Sequence, residues 1–313
     1  MAAHVDHKGL SGADFGQIAD ETWRFLINKV KKLYIYYVAA VLLQVIIRFV
    51  LIKHESFFAI IYRFLQGIPA FTLTFVDLSP SEGLIAKNAW WFLSSLLIAM
   101  FILYPFLLRN FRFASRYVFP LVSFLVLGYL YNTKKSVSII FEWSGFMYYG
   151  TLRALAEVAL GGSLYSLTEL MCGENAREMQ KRRPAMKTIL TICKLFCYIL
   201  VIAFAYGNVF GMSFKPGFNL HALLFCSLGI LLSFSNAGFC IPDNAITRLL
   251  GKLSLPIYIF HGNITSVLAG MFKSSASIRV FIACVIATLI GSIALMYLTD
   301  FLFKGLKRIT VGK

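Results

Sequence analysis

The sequence predicts an all-α fold, a polytopic integral-membrane bundle of about eight transmembrane helices. Hydrophobic residues make up 59% of the 313 residues and charged residues only 14%, whereas soluble proteins carry about 25% charged residues. The chain therefore has too few charged groups to cover a water-facing surface, which excludes ordinary soluble and disordered proteins. Its apolar residues also form continuous runs rather than alternating with polar ones, and this pattern indicates helices rather than strands.

Eight apolar segments approach the length that a membrane-spanning helix needs, which is about 20 residues. They are residues 33–52, 88–108, 117–132, 146–170, 188–207, 219–236, 254–271 and 279–303. A further stretch, residues 57–75, is apolar but contains Arg63, Gln66, Gly67 and Pro69. We predict that it forms a re-entrant or interfacial helix on the outer side and does not cross.

The distribution of basic residues predicts the orientation. The net charge is +16, and the densest Lys/Arg clusters, within 109–116 and 177–187, fall in loops on the same side of the eight predicted spans. Cytoplasmic loops are enriched in Lys and Arg, so we expect both termini in the cytoplasm. If residues 57–75 also crossed, these clusters would move outside. No nucleic-acid-binding motif offers another explanation of the charge.

The chain is predicted to have one folded region after a short tail. Residues 1–21 are polar and contain no apolar signal-peptide core, and residues 22–313 form a single transmembrane domain. The six cysteines include no CxxC pair, and neither His nor carboxylate residues complete a metal set around them. We therefore expect no metal site.

One predicted span carries a pair of opposite charges. Arg153 and Glu157 are separated by four residues in the 146–170 span, so their heads can meet on one helix face. Ionisable groups within a membrane are costly and usually face a protein interior or a water-filled cavity. Two interpretations remain open: a neutralised pair that holds helices together, or a polar wall that binds an anionic or hydroxyl-rich ligand. Lys194 lies near the inner end of another span, where it can extend to the interface.

His261 is the second candidate for chemistry inside the membrane. It lies in the 254–271 span, with Tyr258 one turn before it and hydrogen-bonding side chains at Ser254 and Asn263. Imidazole can act as a general base near neutral pH, although a histidine in an apolar helix can also be a core residue with satisfied hydrogen bonds. Trp91 begins the 88–108 span at the outer interface, where aromatic anchors are typical.

Four segments, in order along the chain, resemble the acyltransferase 3 family of integral-membrane acyltransferases. Trp23–Tyr34 (WRFLINKVKKLY) resembles the basic stretch that enters the family's third helix, and Asn88–Leu97 (NAWWFLSSLL) its "WFL" helix. Arg153–Gly161 (RALAEVALG) is similar to the central helix of the family. Leu250–His261 (LGKLSLPIYIFH) is similar to a segment near its C-terminal end. The similarity extends from about residue 22 to the C-terminus.

This resemblance implies an enzyme that transfers an acyl group, commonly acetyl from cytoplasmic acetyl-CoA, to a hydroxyl. The expected partners are the lipid bilayer, an acyl-CoA donor and a carbohydrate or lipid-linked glycan acceptor. The expected location is the bacterial cytoplasmic membrane. The catalytic candidates are His261, Arg153 and Glu157. The candidates for substrate binding are Tyr258, Ser254, Asn263 and Trp91, and those for the CoA phosphates are Arg109, Arg112 and Arg116.

One departure from the family pattern bears on activity. The first helix of the family carries an embedded histidine regarded as the catalytic base, whereas this chain begins where the third helix is expected. His4 and His7 lie in the polar tail and do not take over that role. Two explanations remain open: a sequence truncated at its start, or a shortened member of the family that lacks the first two helices and has impaired activity. The alternative is a non-catalytic transporter or partner subunit for a glycan or small solute, in which Arg153 and Glu157 form a gating pair.

Overall fold

The structure is a computed structural model, which describes most of the chain and confirms the all-α prediction. The described residues are 14–45, 56–66, 91–137, 142–145, 147–172, 184–209, 218–234, 244–272 and 278–311. Within those ranges the regular structure is helical apart from an isolated bridge between Trp143 and Tyr148.

Ten α-helices are labelled here in chain order. They are α1 (Phe15–Val45), α2 (Phe57–Gln66), α3 (Trp91–Arg109), α4 (Phe111–Phe113), α5 (Phe119–Lys134), α6 (Tyr149–Cys172), α7 (Pro184–Val209), α8 (Phe218–Ser233), α9 (Ala245–Phe272) and α10 (Ile278–Val311). A π-helical turn, Ala114–Val118, joins α4 to α5 without a break.

Four helical stretches in the described part of the chain are long and apolar enough to cross a membrane. They are Phe92–Arg109, Phe111–Lys134, Ala185–Phe204 and Arg279–Phe301. These stretches coincide with four of the eight predicted spans. Helix α6 is also long enough, since its 24 residues extend over about 36 Å, but it contains the charged pair. The total of eight spans stays a prediction.

Two predictions near the N-terminus fall partly on described residues. Helix α2 has 10 residues and extends over about 15 Å, half of a hydrocarbon core of about 30 Å. The described part alone is too short to cross; residues 67–75 lie outside the described residues, so the re-entrant or interfacial helix stays a prediction. In the predicted polar tail, residues 15–21 form the first turns of α1. Ile18 is buried there, and the Phe25 ring of α1 stacks on Tyr104 of α3 at 4.2 Å between centroids.

The chain divides into two compact units. Unit 1 comprises Met1–Leu26 and Ser95–Pro242, and unit 2 comprises Ile27–Ser94 and Asp243–Lys313. The predicted ion pair therefore belongs to unit 1 and His261 to unit 2. Each unit is described by itself below, and the single transmembrane domain stays a prediction.

Helix α6 lies at the centre of unit 1, since it contacts elements on several sides. On the side of α3, the hydroxyls of Ser95 and Thr151 are 3.2 Å apart. On the side of α5, the hydroxyl of Ser123 donates to the carbonyl of Ala156 at 2.9 Å. A buried apolar cluster joins the N-terminal part of α6 to α5 and the segment after it: Leu127, Leu130, Val137, Tyr149, Leu152 and Ala156. The ion-pair helix thus packs against both α3 and α5.

In unit 2, α9 and α10 pack closely because small residues lie at their interface. A Cβ atom at Gly291 of α10 would lie 2.8 Å from the Phe260 ring of α9, so only glycine fits without a shift. Small residues allow helices to approach in this way within a membrane. The buried face of α10 includes several other residues with small side chains: Cys284, Thr288, Ser292 and Thr299.

Candidate active site

The two charged heads of α6 form an ion pair. The Nε of Arg153 donates to the Oε1 of Glu157 at 2.7 Å, and the two side chains are only 27% and 20% exposed. The contact predicted from their spacing is therefore present, and the pair is largely screened from solvent. Ion pairs screened in this way are sensitive to the loss of either partner.

Arg153 also links α6 to the segment that follows α5. Its Nη1 donates to the backbone carbonyl of Val137 at 3.1 Å, and Val137 itself is buried. A guanidinium has five N–H donors in a planar fork, so it can satisfy a carboxylate and a carbonyl together. The sequence analysis missed Val137 because a backbone acceptor in a connecting segment leaves no residue-type signal.

His261 lies on an exposed part of α9 in unit 2. Its Nδ1 is 2.7 Å from the carbonyl oxygen of Tyr258 and 3.3 Å from that of Ile257. Carbonyl oxygens only accept, so these contacts require the proton on Nδ1, and the lone pair of the neutral ring then lies on Nε2. In this tautomer Nε2 is the acceptor nitrogen of the ring.

The predicted substrate-binding residues are placed on the same helix or at the start of α3. The ring of Tyr258 lies 5.9 Å from that of His261 and 6.0 Å from that of Phe92. Ser254 is exposed, and its hydroxyl donates to the carbonyl of Gly251 at 2.8 Å. The side chains of Asn263 and Trp91 lie outside the described residues. Tyr258 is therefore the candidate that the structure brings to the imidazole.

The three predicted phosphate-binding arginines surround the connection between α3 and α5. Arg109 ends α3, and Arg112 and Arg116 belong to α4 and the π-helical turn. All three are exposed. The side chain of Asn110 accepts from the backbone N–H of Phe113 at 3.0 Å and so caps this turn of the chain. We call this group the arginine corner.

The π-helical turn connects the arginine corner to α6. The Nε of Arg116 donates to the hydroxyl of Ser166 at 3.5 Å, a long contact that uses one of the five guanidinium N–H donors. Single π-helical turns occur often at functional sites. The sequence did not predict this turn: the span predicted from residue 117 is helical from Phe111.

Lys194 of α7 differs from its prediction. Its side chain is only 1% exposed, so the prediction that it extends to the interface is wrong. The flanking residues Cys193 and Leu195 are exposed, while Cys197 is buried beside it on the same face. The helix therefore turns Lys194 into unit 1, which hydropathy along the sequence does not reveal because it contains no information on helix orientation.

The described residues thus include two separate groups of candidate site residues, one in each unit. Unit 1 contains the Arg153–Glu157 pair and the arginine corner, and unit 2 contains His261 with Tyr258. Within the described ranges, His, Cys, Asp and Glu residues nowhere form a group of three that could hold a metal.

These features define a class: a helical integral-membrane protein with an ion pair within one helix and an exposed histidine on another. The model of an acyltransferase domain, acyltransferase 3, matches residues 15–297. The chain belongs to this family of membrane acyltransferases. No match was found among curated proteins or solved structures.

Proposed function

We propose that the protein transfers an acyl group, in particular acetyl, from acyl-CoA to a hydroxyl of a cell-envelope glycan. The family match supports acyl transfer as the class of reaction. Acetyl-CoA is the proposed donor substrate, and a carbohydrate or lipid-linked glycan is the proposed acceptor. The protein would lie in a bacterial cytoplasmic membrane with both termini in the cytoplasm, where the arginine corner faces the CoA pool.

His261 is the proposed general base. The hydrogen bond from its Nδ1 to the backbone carbonyl of Tyr258 supports this assignment. Nε2 takes the proton of the acceptor hydroxyl as its oxygen attacks the thioester carbonyl carbon. The carbon–sulfur bond then breaks, and the imidazolium returns the proton to the CoA thiolate. General-base assistance of this kind contributes about 10²–10⁴-fold to rate.

The charged residues of unit 1 have separate proposed roles. Guanidinium groups bind phosphates in a bidentate manner, which suits Arg109, Arg112 and Arg116 to the phosphates of CoA. Arg153 and Glu157 would shape a polar cavity, since an Arg–carboxylate pair offers both donors and acceptors. Tyr258, Ser254, Asn263 and Trp91 would contact the acceptor.

Radiolabelled acetyl-CoA supplied to membranes that contain the full chain tests this function. We expect His261→Ala to reduce the transfer of label to membrane glycan by about 100-fold or more. His221→Ala is the matched control, since His221 is also an exposed histidine near an aromatic ring, on α8, and its loss should leave transfer unchanged.

Two results would contradict the proposal. Transfer that is equal in wild type and His261→Ala would remove the imidazole from the mechanism. Solute flux in proteoliposomes without dependence on acetyl-CoA, together with no transfer by the wild type, would favour the transporter alternative.

A further inference from the structure

A group of aromatic and charged side chains surrounds the connection between α5 and α6. Lys134, the last residue of α5, pairs with Glu142 at 2.5 Å between Nζ and Oε2. The same Nζ lies 5.3 Å from the centroid of the Tyr149 ring of α6. The Tyr129 ring of α5 stacks on that of Tyr149 at 6.3 Å between centroids. These contacts join the end of α5 to the start of α6.

Trp143 is the most open aromatic side chain of this group. It forms the isolated backbone bridge with Tyr148, and the two rings meet edge to face at 4.9 Å between centroids. The side chain is nevertheless 54% exposed. The bridge and the ring contact thus hold the indole in place and leave part of it accessible. We call the whole group the aromatic cap: Tyr129, Lys134, Glu142, Trp143, Tyr148 and Tyr149.

The accessible groups of the aromatic cap match the chemistry of a saccharide. A pyranose ring has a face of C–H groups, which stacks on an aromatic ring, and a rim of hydroxyls, which need hydrogen-bond partners. The indole of Trp143 offers the first contact. The Glu142 carboxylate and the Lys134 ammonium are 53% and 32% exposed, and they offer acceptors and donors to the hydroxyls. A hydrocarbon chain could use the indole but neither charged group.

The aromatic cap and the arginine corner lie at opposite ends of one spanning stretch. Phe111–Lys134 has 24 residues and extends over about 36 Å, more than the hydrocarbon thickness of about 30 Å. The arginine corner is at the start of this stretch, and the cap surrounds its last residue. A ligand of the cap would therefore approach from the membrane face opposite to the arginine corner.

Helix α6 leads from the aromatic cap to the ion pair. Tyr149, Arg153 and Glu157 are spaced four residues apart on α6, so they lie along one side of that helix. The guanidinium also bonds to the carbonyl of Val137, three residues after Lys134 in the same connection. The cap and the ion pair both belong to unit 1 and are one helical turn apart on α6.

On the basis of the proposed acyl transfer, we infer that the aromatic cap binds sugar residues of the glycan acceptor, with a pyranose ring stacked on Trp143. The acceptor then meets the protein at the membrane face opposite to the one that receives CoA. Trp143 is an acceptor-binding residue, and Glu142 and Lys134 hydrogen-bond the hydroxyls of the stacked sugar.

The test measures saccharide binding to the full chain in lipid nanodiscs. Saturation-transfer-difference NMR gives the dissociation constants of three soluble probes: chitotetraose, maltotetraose and cellotetraose. Trp143→Ala removes the indole, and Trp143→Phe keeps a smaller aromatic ring. Trp23→Ala is the matched control, because Trp23 is also an exposed tryptophan of unit 1 but lies on α1.

We expect the wild type to bind at least one probe and Trp143→Ala to weaken that binding by about tenfold, since alanine offers no ring for stacking. Trp143→Phe should retain most of the affinity, and Trp23→Ala should leave it unchanged. Binding of radiolabelled acetyl-CoA should stay at the wild-type level in each variant, which shows that the variants are folded.

The role of the cap and the proposed function fail in different ways. Equal saccharide affinity of wild type and Trp143→Ala would overturn the role of the cap and indicate that Trp143 only anchors the protein among lipid headgroups. Wild type that binds none of the probes would overturn it as well. Either result leaves acyl transfer standing if membranes that contain the full chain transfer label from acetyl-CoA, whereas absence of that transfer contradicts the proposed function itself.

Discussion

The polar groups of the two units differ in where their hydrogen-bond partners lie. In unit 1, Arg153 bonds to Glu157 and also to the carbonyl of Val137, which lies outside α6. In unit 2, the described hydrogen bonds of the His261 ring go to carbonyls of its own helix, those of Tyr258 and Ile257. The guanidinium therefore depends on tertiary structure, while the imidazole keeps its orientation as long as α9 is helical.

In both units, by contrast, a glycine in one helix accommodates an aromatic ring of the neighbouring helix. Gly162 of α6 accommodates the Phe119 ring of α5, and Gly291 of α10 accommodates the Phe260 ring of α9. The two units thus share this type of packing contact and differ in the hydrogen-bond partners of their polar groups. We infer that the ion pair contributes to stability, whereas the imidazole has little effect on it.

The largest loss of stability is expected when the Arg153–Glu157 ion pair is broken. Glu157→Ala leaves the Arg153 guanidinium largely screened from solvent without its carboxylate. Since both side chains are less than a third exposed, we expect a loss of about 2–3 kcal/mol in the free energy of unfolding, somewhat below the cost of breaking a fully buried pair. Denaturant unfolding in detergent, followed by circular dichroism, measures the change.

The double variant Arg153→Met/Glu157→Leu provides the control for this prediction. Replacement of both partners by apolar residues removes the unpaired charge, and it is often neutral or stabilising. We therefore expect the double variant to be more stable than Glu157→Ala. Equal stability of wild type and Glu157→Ala would show that the pair lies in a solvated environment and would remove the contrast between the units.

A smaller loss of stability is expected from overpacking the α9–α10 contact of unit 2. Gly291→Ala places a Cβ atom 2.8 Å from the Phe260 ring, and relief of that overlap should cost about 1–3 kcal/mol. Gly251→Ala in α9 is the control, because its Cβ would meet no described heavy atom within 4 Å. In thermal unfolding, the melting temperature of Gly291→Ala should therefore be lower than that of Gly251→Ala. A melting temperature of Gly291→Ala equal to that of wild type would mean that α9 and α10 pack less closely than the structure indicates.

Much of the fold could be predicted because the hydrocarbon of the membrane imposes simple rules on a chain. Continuous apolar runs predicted helices, and four of the predicted spans coincide with helices long and apolar enough to cross. The contact between Arg153 and Glu157 followed from local helix geometry alone. Such features depend on neighbours within a turn, so the sequence contains the information directly.

The rest depends on tertiary contacts that residue patterns do not encode. The Val137 carbonyl is a backbone group 16 positions before Arg153, and any residue type supplies the same acceptor. Burial of Lys194 depends on the rotation of α7, which a hydropathy profile does not report. The roles proposed for His261 and the arginine corner stay predictions, because they concern bound substrates.

The smallest expected effect on stability is at His261. Its side chain is exposed and its ring bonds to carbonyls of its own helix, so truncation to alanine leaves no buried group without a partner. We expect His261→Ala to change the free energy of unfolding by less than about 0.5 kcal/mol, as measured by the same denaturant unfolding. A loss as large as that of Glu157→Ala would mean that the imidazole is a structural group of unit 2. In that case, reduced acyl transfer by this variant would reflect unfolding rather than the loss of a base.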